Sequence, residues 1–288
     1  MKCKKILTAL LAAACTMSGC HGDLDIMQDN KLSASNMWID ESDAETATYG
    51  IYLYMRDALK SVHDIYLCWG EFRNGLWGAG TNKTLSGVDQ TQVRTSTMSS
   101  SNAYADWSVM YKTVNQANLI LKHVPEMGIS ESVRNFSLGN AYFSRAWCYF
   151  WIARIWGDAP LALTGYESTA GDLYLPRAPK AEIFARIESD LTEAERYVTD
   201  NSDKAVATPA AVQMLKADYA LWMYRVAGGG SSYLTMAEKA IEALNLSASR
   251  LESDYAQVFS SANKLNKEVI FAVHQANGEA VNGPGYYL

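Results

Sequence analysis

Cysteine is scarce where it could bear structure. Of the five in 288 residues, Cys3, Cys15 and Cys20 crowd the N-terminus, which leaves Cys68 in a region read as loop and Cys148 in an apolar helix. Neither a disulfide framework nor a cysteine metal site follows from such a pair. Histidine is equally sparse: His21, His63, His123 and His274 lie far apart, with no two at metal-ligand spacing. A Gly-x-Ser-x-Gly elbow is lacking, and Gly78-Ala79-Gly80 has none of the rest of a phosphate-binding motif, so it reads as turn chemistry. No cofactor, metal or catalytic residue is expected. Basic charge is also short. The formal charge is −6, and removing residues 1–19, with three lysines and no acids, makes it −9; an acidic chain is a poor partner for nucleic acid.

A long hydrophobic run is missing too. The apolar stretch from Ile6 to about Thr16 is too short to span a bilayer. Preceded by Lys2, Lys4 and Lys5 and followed by Met17-Ser18-Gly19-Cys20, it reads as a processing signal over residues 1–19. Small residues before a cysteine here resemble the bacterial lipobox, in which Cys20 becomes the acylated first residue of the mature protein. Acyl chains anchor a protein at about 0.8 kcal/mol per buried methylene. Residues 20–41 are polar and unpatterned, a tether, and residues 42–288 form the folded domain.

That domain has ample apolar material, 49% of residues, for a core. Ser42 and Glu45 suggest a capping box for a first helix bearing Ala47, Ile51, Met55, Ala58 and Val62. From Tyr66 to about Ala103 helical periodicity fails, yet Trp69, Phe72, Arg73 and Trp77 are unlike a disordered linker, and an ordered excursion is expected. Trp107, Tyr111, Val114, Ala117 and Leu121 give a second helix. The centre is Leu138 to Leu161, apolar nearly all round and therefore buried. It carries Arg145 and Arg154, expected to satisfy carbonyls or a carboxylate such as Asp158, and stops at Gly157 and Pro160.

After a loop over Leu163 to Arg177, Pro179 opens a helix with Ile183, Ile187, Leu191 and Ala194 inward. Its acids Glu188, Asp190, Glu193 and Glu195 read as a solvated face, and Glu182 can pair with Arg186. Thr208-Pro209 begins another helix, Leu234 to Leu244 a shorter one, and Glu268 to Val273 is a strand candidate. The chain stops at Leu288 in a segment that reads neither as a capped helix nor as a polar tail, so truncation is expected. Helices in pairs with small residues between them predict a mostly α fold, a tetratricopeptide-like helical-hairpin scaffold with long irregular loops.

The ordered set of Cys20, "FSRAWCYFWIARIWGDAPL", "LPRAPKAEIFARIESDLTEAERYV", "ATPAAVQMLKADYALWM" and "YAQVFSSANKLNKEVIFAV" resembles the SusD/RagB-like nutrient-binding lipoproteins of Bacteroidetes. That resemblance implies a lipid-anchored protein at the outer-membrane surface. It would capture glycan or oligopeptide and deliver it to a SusC-like TonB-dependent transporter. Sugar binding needs flat aromatic faces and planar polar groups. Trp69, Arg73, Asn74, Trp77 and Asn82 offer both, so they are the expected ligand-binding residues, the tryptophans otherwise serving to fasten the loop to the helices. The alternatives are a protein-interaction lipoprotein without its own ligand site and a surface glycoside hydrolase.

Overall fold

The computed structural model describes residues 37–75, 87–169, 171, 173–247 and 250–275. The chain divides into units Met1–Met37 and Trp38–Leu288, and every described element belongs to the second.

Helix α1 runs Glu41–Trp69. Its capping box uses Asp40 and Asp43 instead of Ser42 and Glu45: the Asp40 carboxylate accepts the Asp43 N–H at 3.1 Å, and Asp43 accepts the Asp40 N–H at 3.3 Å. Aspartate caps as well as serine does, and this pair sits two residues earlier. The helix also continues beyond Tyr66, because Ile65, Cys68, Trp69 and Phe72 keep a buried i, i+3, i+4, i+7 stripe. Cys68 is therefore helical and buried. A short α2, Val88–Thr95, follows within the stretch expected to be irregular.

Helix α3, Ser108–His123, faces inward with Met110, Val114, Ala117 and Ile120. Helix α4, Glu131–Trp156, is the central helix and begins before the expected Leu138. From Ser137 onward it is buried on most sides, and it ends at Gly157, whose φ of 72° combined with ψ of −117° suits glycine alone. Strands β1, Ala159–Pro160, and β2, Arg177–Ala178, pair antiparallel and close the loop between them. The turn places Asp158 to accept the Lys180 N–H at 2.8 Å, capping helix α5, Lys180–Tyr197, which lacks a side-chain cap at Pro179. Helix α6, Pro209–Arg225, starts as expected, with the Thr208 hydroxyl accepting the Ala211 N–H at 3.1 Å. Helices α7, Ser231–Ala243, and α8, Tyr255–Val258, complete the described helices.

Helix α4 packs along α5 and α3, α6 along α7, and α1 along α3 and α4. Neighbours in sequence are thus neighbours in space, the hairpin array the periodicity predicts. Residues 268–273 form no strand. Instead Phe271 packs on Phe143 and Tyr52, with ring centroids at 5.4 and 6.2 Å, and the Ala272 N–H donates to the Lys204 carbonyl. Burying Phe271 against α4 and α1 outweighs the strand propensity of Val, Ile and Phe.

A buried polar node joins three helices. Arg145 donates through Nε and Nη2 to both Asp190 oxygens at 2.8 and 2.7 Å and through Nη1 to Asn118 Oδ1 at 2.7 Å. Asp190 is fully buried, so it leaves the face expected to be solvated, and it takes the role anticipated for Asp158. Arg186 reaches Asp190 rather than Glu182.

Candidate functional site

A chain of aromatic rings runs along one side of the array. Trp69 at the end of α1 meets Trp156 edge-on at 5.2 Å, Trp156 meets Trp107 at 6.1 Å, and Trp107 meets Tyr111 at 6.2 Å. Trp69 is held by its position on the helix and by its indole N–H, which donates to the Tyr104 carbonyl at 2.9 Å. It fastens α1 to the segment before α3. Arg73 and Asn74 follow on an exposed 3-10 turn, with the Asn74 amide donating to Glu71 at 2.9 Å. Trp77 and Asn82 lie outside the described residues, as does Cys20.

The chain of rings leads into a cleft of about 430 Å³ between α3 and a strap whose described residues are 161–169, 171 and 173–176, lined chiefly by Trp107, Tyr111, Asn115, Tyr166, Leu173 and Tyr174. The strap is fixed by side chains of the helices beneath it. Asn115 donates to the Tyr166 carbonyl at 3.0 Å and accepts its N–H at 2.7 Å; Asn118 donates to the Ala162 carbonyl at 3.0 Å. The Tyr111 and Tyr149 hydroxyls donate to the Pro160 and Ala162 carbonyls. Burial raises both hydroxyls well above the usual tyrosine pKa, so they stay neutral donors. Next to Tyr166, Glu167 takes hydrogen bonds from Lys122 and His123. The Lys122 bond is the largest influence holding that carboxyl below its ordinary pKa.

Chemically the cleft is neutral and aromatic. Tyr174 is 93% exposed at the rim, and Arg177 lies over the Trp107 ring at 4.8 Å. The Asn115 amide keeps one N–H and one lone pair beyond its bonds to Tyr166. The described lining contains no carboxylate, so the arrangement is suited to stacking and hydrogen bonding of a polar, uncharged ligand rather than to acid-base chemistry. From the sequence, Trp107 and Tyr111 are expected only as members of a helical stripe, and Tyr174 is not expected at a site. The available signal was an aromatic in a loop, Leu173-Tyr174-Leu175, directly before Pro176.

Residues 79–223 match a family described as SusD-like, starch-binding associating with outer membrane. The chain is 26% identical over 190 residues to SusD-like protein P38 of Formosa agariphila, a match covering 66% of this chain and 36% of the relative. Among solved structures, B. fragilis NanU is similar with a TM-score of 0.71 and 27% identity, over 88% of this chain and 51% of that one. A laminarin-binding SusD-like protein shares the fold at a TM-score of 0.66 and 18% identity, over 81% and 51%. The chain thus spans about half the length of these structures and about a third of that curated relative.

Proposed function

The chain belongs to the SusD-like family, and from that premise we propose that it captures glycan at the cell surface and delivers it to a SusC-like TonB-dependent transporter in the outer membrane. The cleft between α3 and the strap is the observation that carries this reading: an exposed tyrosine, a tryptophan edge and a half-free amide line one concavity. Pyranose rings present apolar C–H faces and hydroxyl pairs, which such a surface receives. The laminarin-binding relative shares this scaffold, which is consistent with a glycan ligand. Arg73 and Asn74, on the turn just after Trp69, would add polar groups to the site, and Trp77 and Asn82 are proposed as ligand contacts from the sequence alone. Cys20 would carry the lipid anchor. The protein binds and hands over; it does not cleave.

Binding of the full chain to a glycan array tests the first half. On any glycan retained, Tyr174→Ala and Trp77→Ala are each expected to weaken affinity about tenfold, the equivalent of about 1.4 kcal/mol. Unchanged affinity in both, with the circular dichroism spectrum intact, would remove these residues from the site. Co-purification from solubilised outer membrane tests the second half, and a barrel-sized partner should accompany the chain.

A further inference from the structure

A second cleft opens near the start of α4. The aromatic cleft is tied through Trp107 to Trp156 at the C-terminal end of α4, whereas Phe136 of the second cleft stands in its second turn. At 1.5 Å per residue those two positions are about 30 Å apart along the helix. The second cleft encloses about 480 Å³ and is lined by Glu45 and Tyr49 of α1, Asn135 and Phe136 of α4, Tyr197 at the end of α5 and Asp200 beyond it, among others. No lysine or arginine is among the lining residues.

Its chemistry is unlike that of the first cleft. Tyr49 is 54% exposed and tilted against Phe136 at 5.8 Å, so a pair of aromatic surfaces forms one wall. Glu45 and Asp200 flank that wall, and Asp203 acts on the same tyrosine. The Tyr49 hydroxyl is pushed up by burial first and then by the fields of Asp203, Glu45 and Asp200, of which Glu45 and Asp200 line the cleft itself. Asp200 is kept ionised by Ser202, whose hydroxyl and N–H both donate to it. The floor cannot supply a neutralising group. Asn140, 1% exposed, donates to the Phe136 carbonyl and accepts from the Ala207 N–H and the Tyr52 hydroxyl. An arginine beside the cleft already makes this kind of contact: Arg196 lies over the Tyr197 ring at 5.1 Å and pairs with Glu193 at 3.6 Å, while Tyr142 stacks on Tyr197 at 6.0 Å.

We infer that this cleft is a docking point for a basic side chain, an arginine or lysine presented by a partner polypeptide, held between the Tyr49–Phe136 surfaces and the carboxylates of Glu45 and Asp200. An aromatic face attracts a cation through its quadrupole, and carboxylates accept its N–H groups in charge-assisted bonds. The volume exceeds what one side chain fills, which leaves room for the neighbouring residues of a segment. The inference does not depend on glycan capture and stands or falls separately.

The test uses the full chain and two fluorescein-labelled heptapeptides, identical except for a central arginine in one and citrulline in the other, followed by fluorescence anisotropy. The arginine peptide is expected to bind about tenfold more tightly than its uncharged twin. The Glu45→Gln/Asp200→Asn variant should remove that preference, and Tyr49→Ala should reduce it. Thermal melts and retention of any glycan found for the first cleft confirm that each variant is folded. Equal binding of the two peptides, or a preference that survives the double substitution, would overturn the assignment. Competition by free arginine amide as strong as that of the peptide would overturn the polypeptide partner and point to a small amine.

Discussion

At the scale of single residues, the Arg145 node shows how position decides what a charge does. A guanidinium 5% exposed tolerates burial because two carboxylate oxygens and an amide oxygen meet three of its N–H groups. Arg145→Met would leave Asp190 buried without its bidentate partner, and chemical denaturation should register a loss of about 3–5 kcal/mol. Removing both charges, as in Arg145→Met/Asp190→Leu, should recover much of that loss, since what costs most is the stranded ion. Lysine at 145 is expected to fail as a replacement, because a point charge cannot match both oxygens. A double variant no more stable than Arg145→Met would contradict this account. The arginine's burial was legible in its apolar surroundings. Asp190 was legible too, three residues after Ile187 and four before Ala194 on the inward period, but its charge suggested solvent more strongly than its position suggested the core.

Elements meet where side chains are missing. A Cβ on Gly139 would stand 2.7 Å from Val198 Cγ2 and 3.0 Å from the Val198 nitrogen, so α4 approaches the end of α5 only through a glycine. Gly139→Ala gains about 1 kcal/mol of helix propensity against roughly 1–3 kcal/mol of overpacking, and a lower thermal midpoint is expected. A rise would mean that the α5 terminus yields freely. The strap offers a pH test. Glu167 has its pKa lowered, so its contribution is present above the ordinary carboxylate value of about 4.3 and is lost as pH falls through the lowered one. The gap in thermal midpoint between the wild type and Glu167→Gln should therefore be small at neutral pH, as befits an exposed pair, and vanish in acid. Helix α4 was readable because its apolar residues surround it, and α6 because Thr208-Pro209 is a strong start. The last turns of α1 were hidden by Gly70 and Asn74 close behind them, although the stripe of Ile65, Cys68 and Trp69 continued. The cleft under the strap could not be read, because it depends on Asn115 and Asn118 turning their amides to carbonyls 44 to 51 residues further along the chain.

On the scale of the whole molecule, the long central helix separates two surfaces of different character, one neutral and aromatic, the other aromatic and acidic. Their responses to salt should differ accordingly. Stacking and hydrogen bonding in the first cleft are nearly indifferent to ionic strength, whereas attraction between exposed charges in the second falls as the screening length shrinks from about 10 Å at 0.1 M to about 3 Å at 1 M. Both surfaces belong to a unit that begins at Trp38, whose ring stacks on His123 at 4.9 Å. Membrane attachment through Cys20, as proposed above, would therefore be separable from the folding of this unit. Cys20→Ser should move the protein from the membrane to the soluble fraction of cells while the purified variant keeps its thermal midpoint and its glycan affinity. Transport should still fail, because a capture protein acts through its local concentration over the transporter, and release from the surface removes that proximity without altering either cleft. Membrane retention of Cys20→Ser would show that attachment has another source.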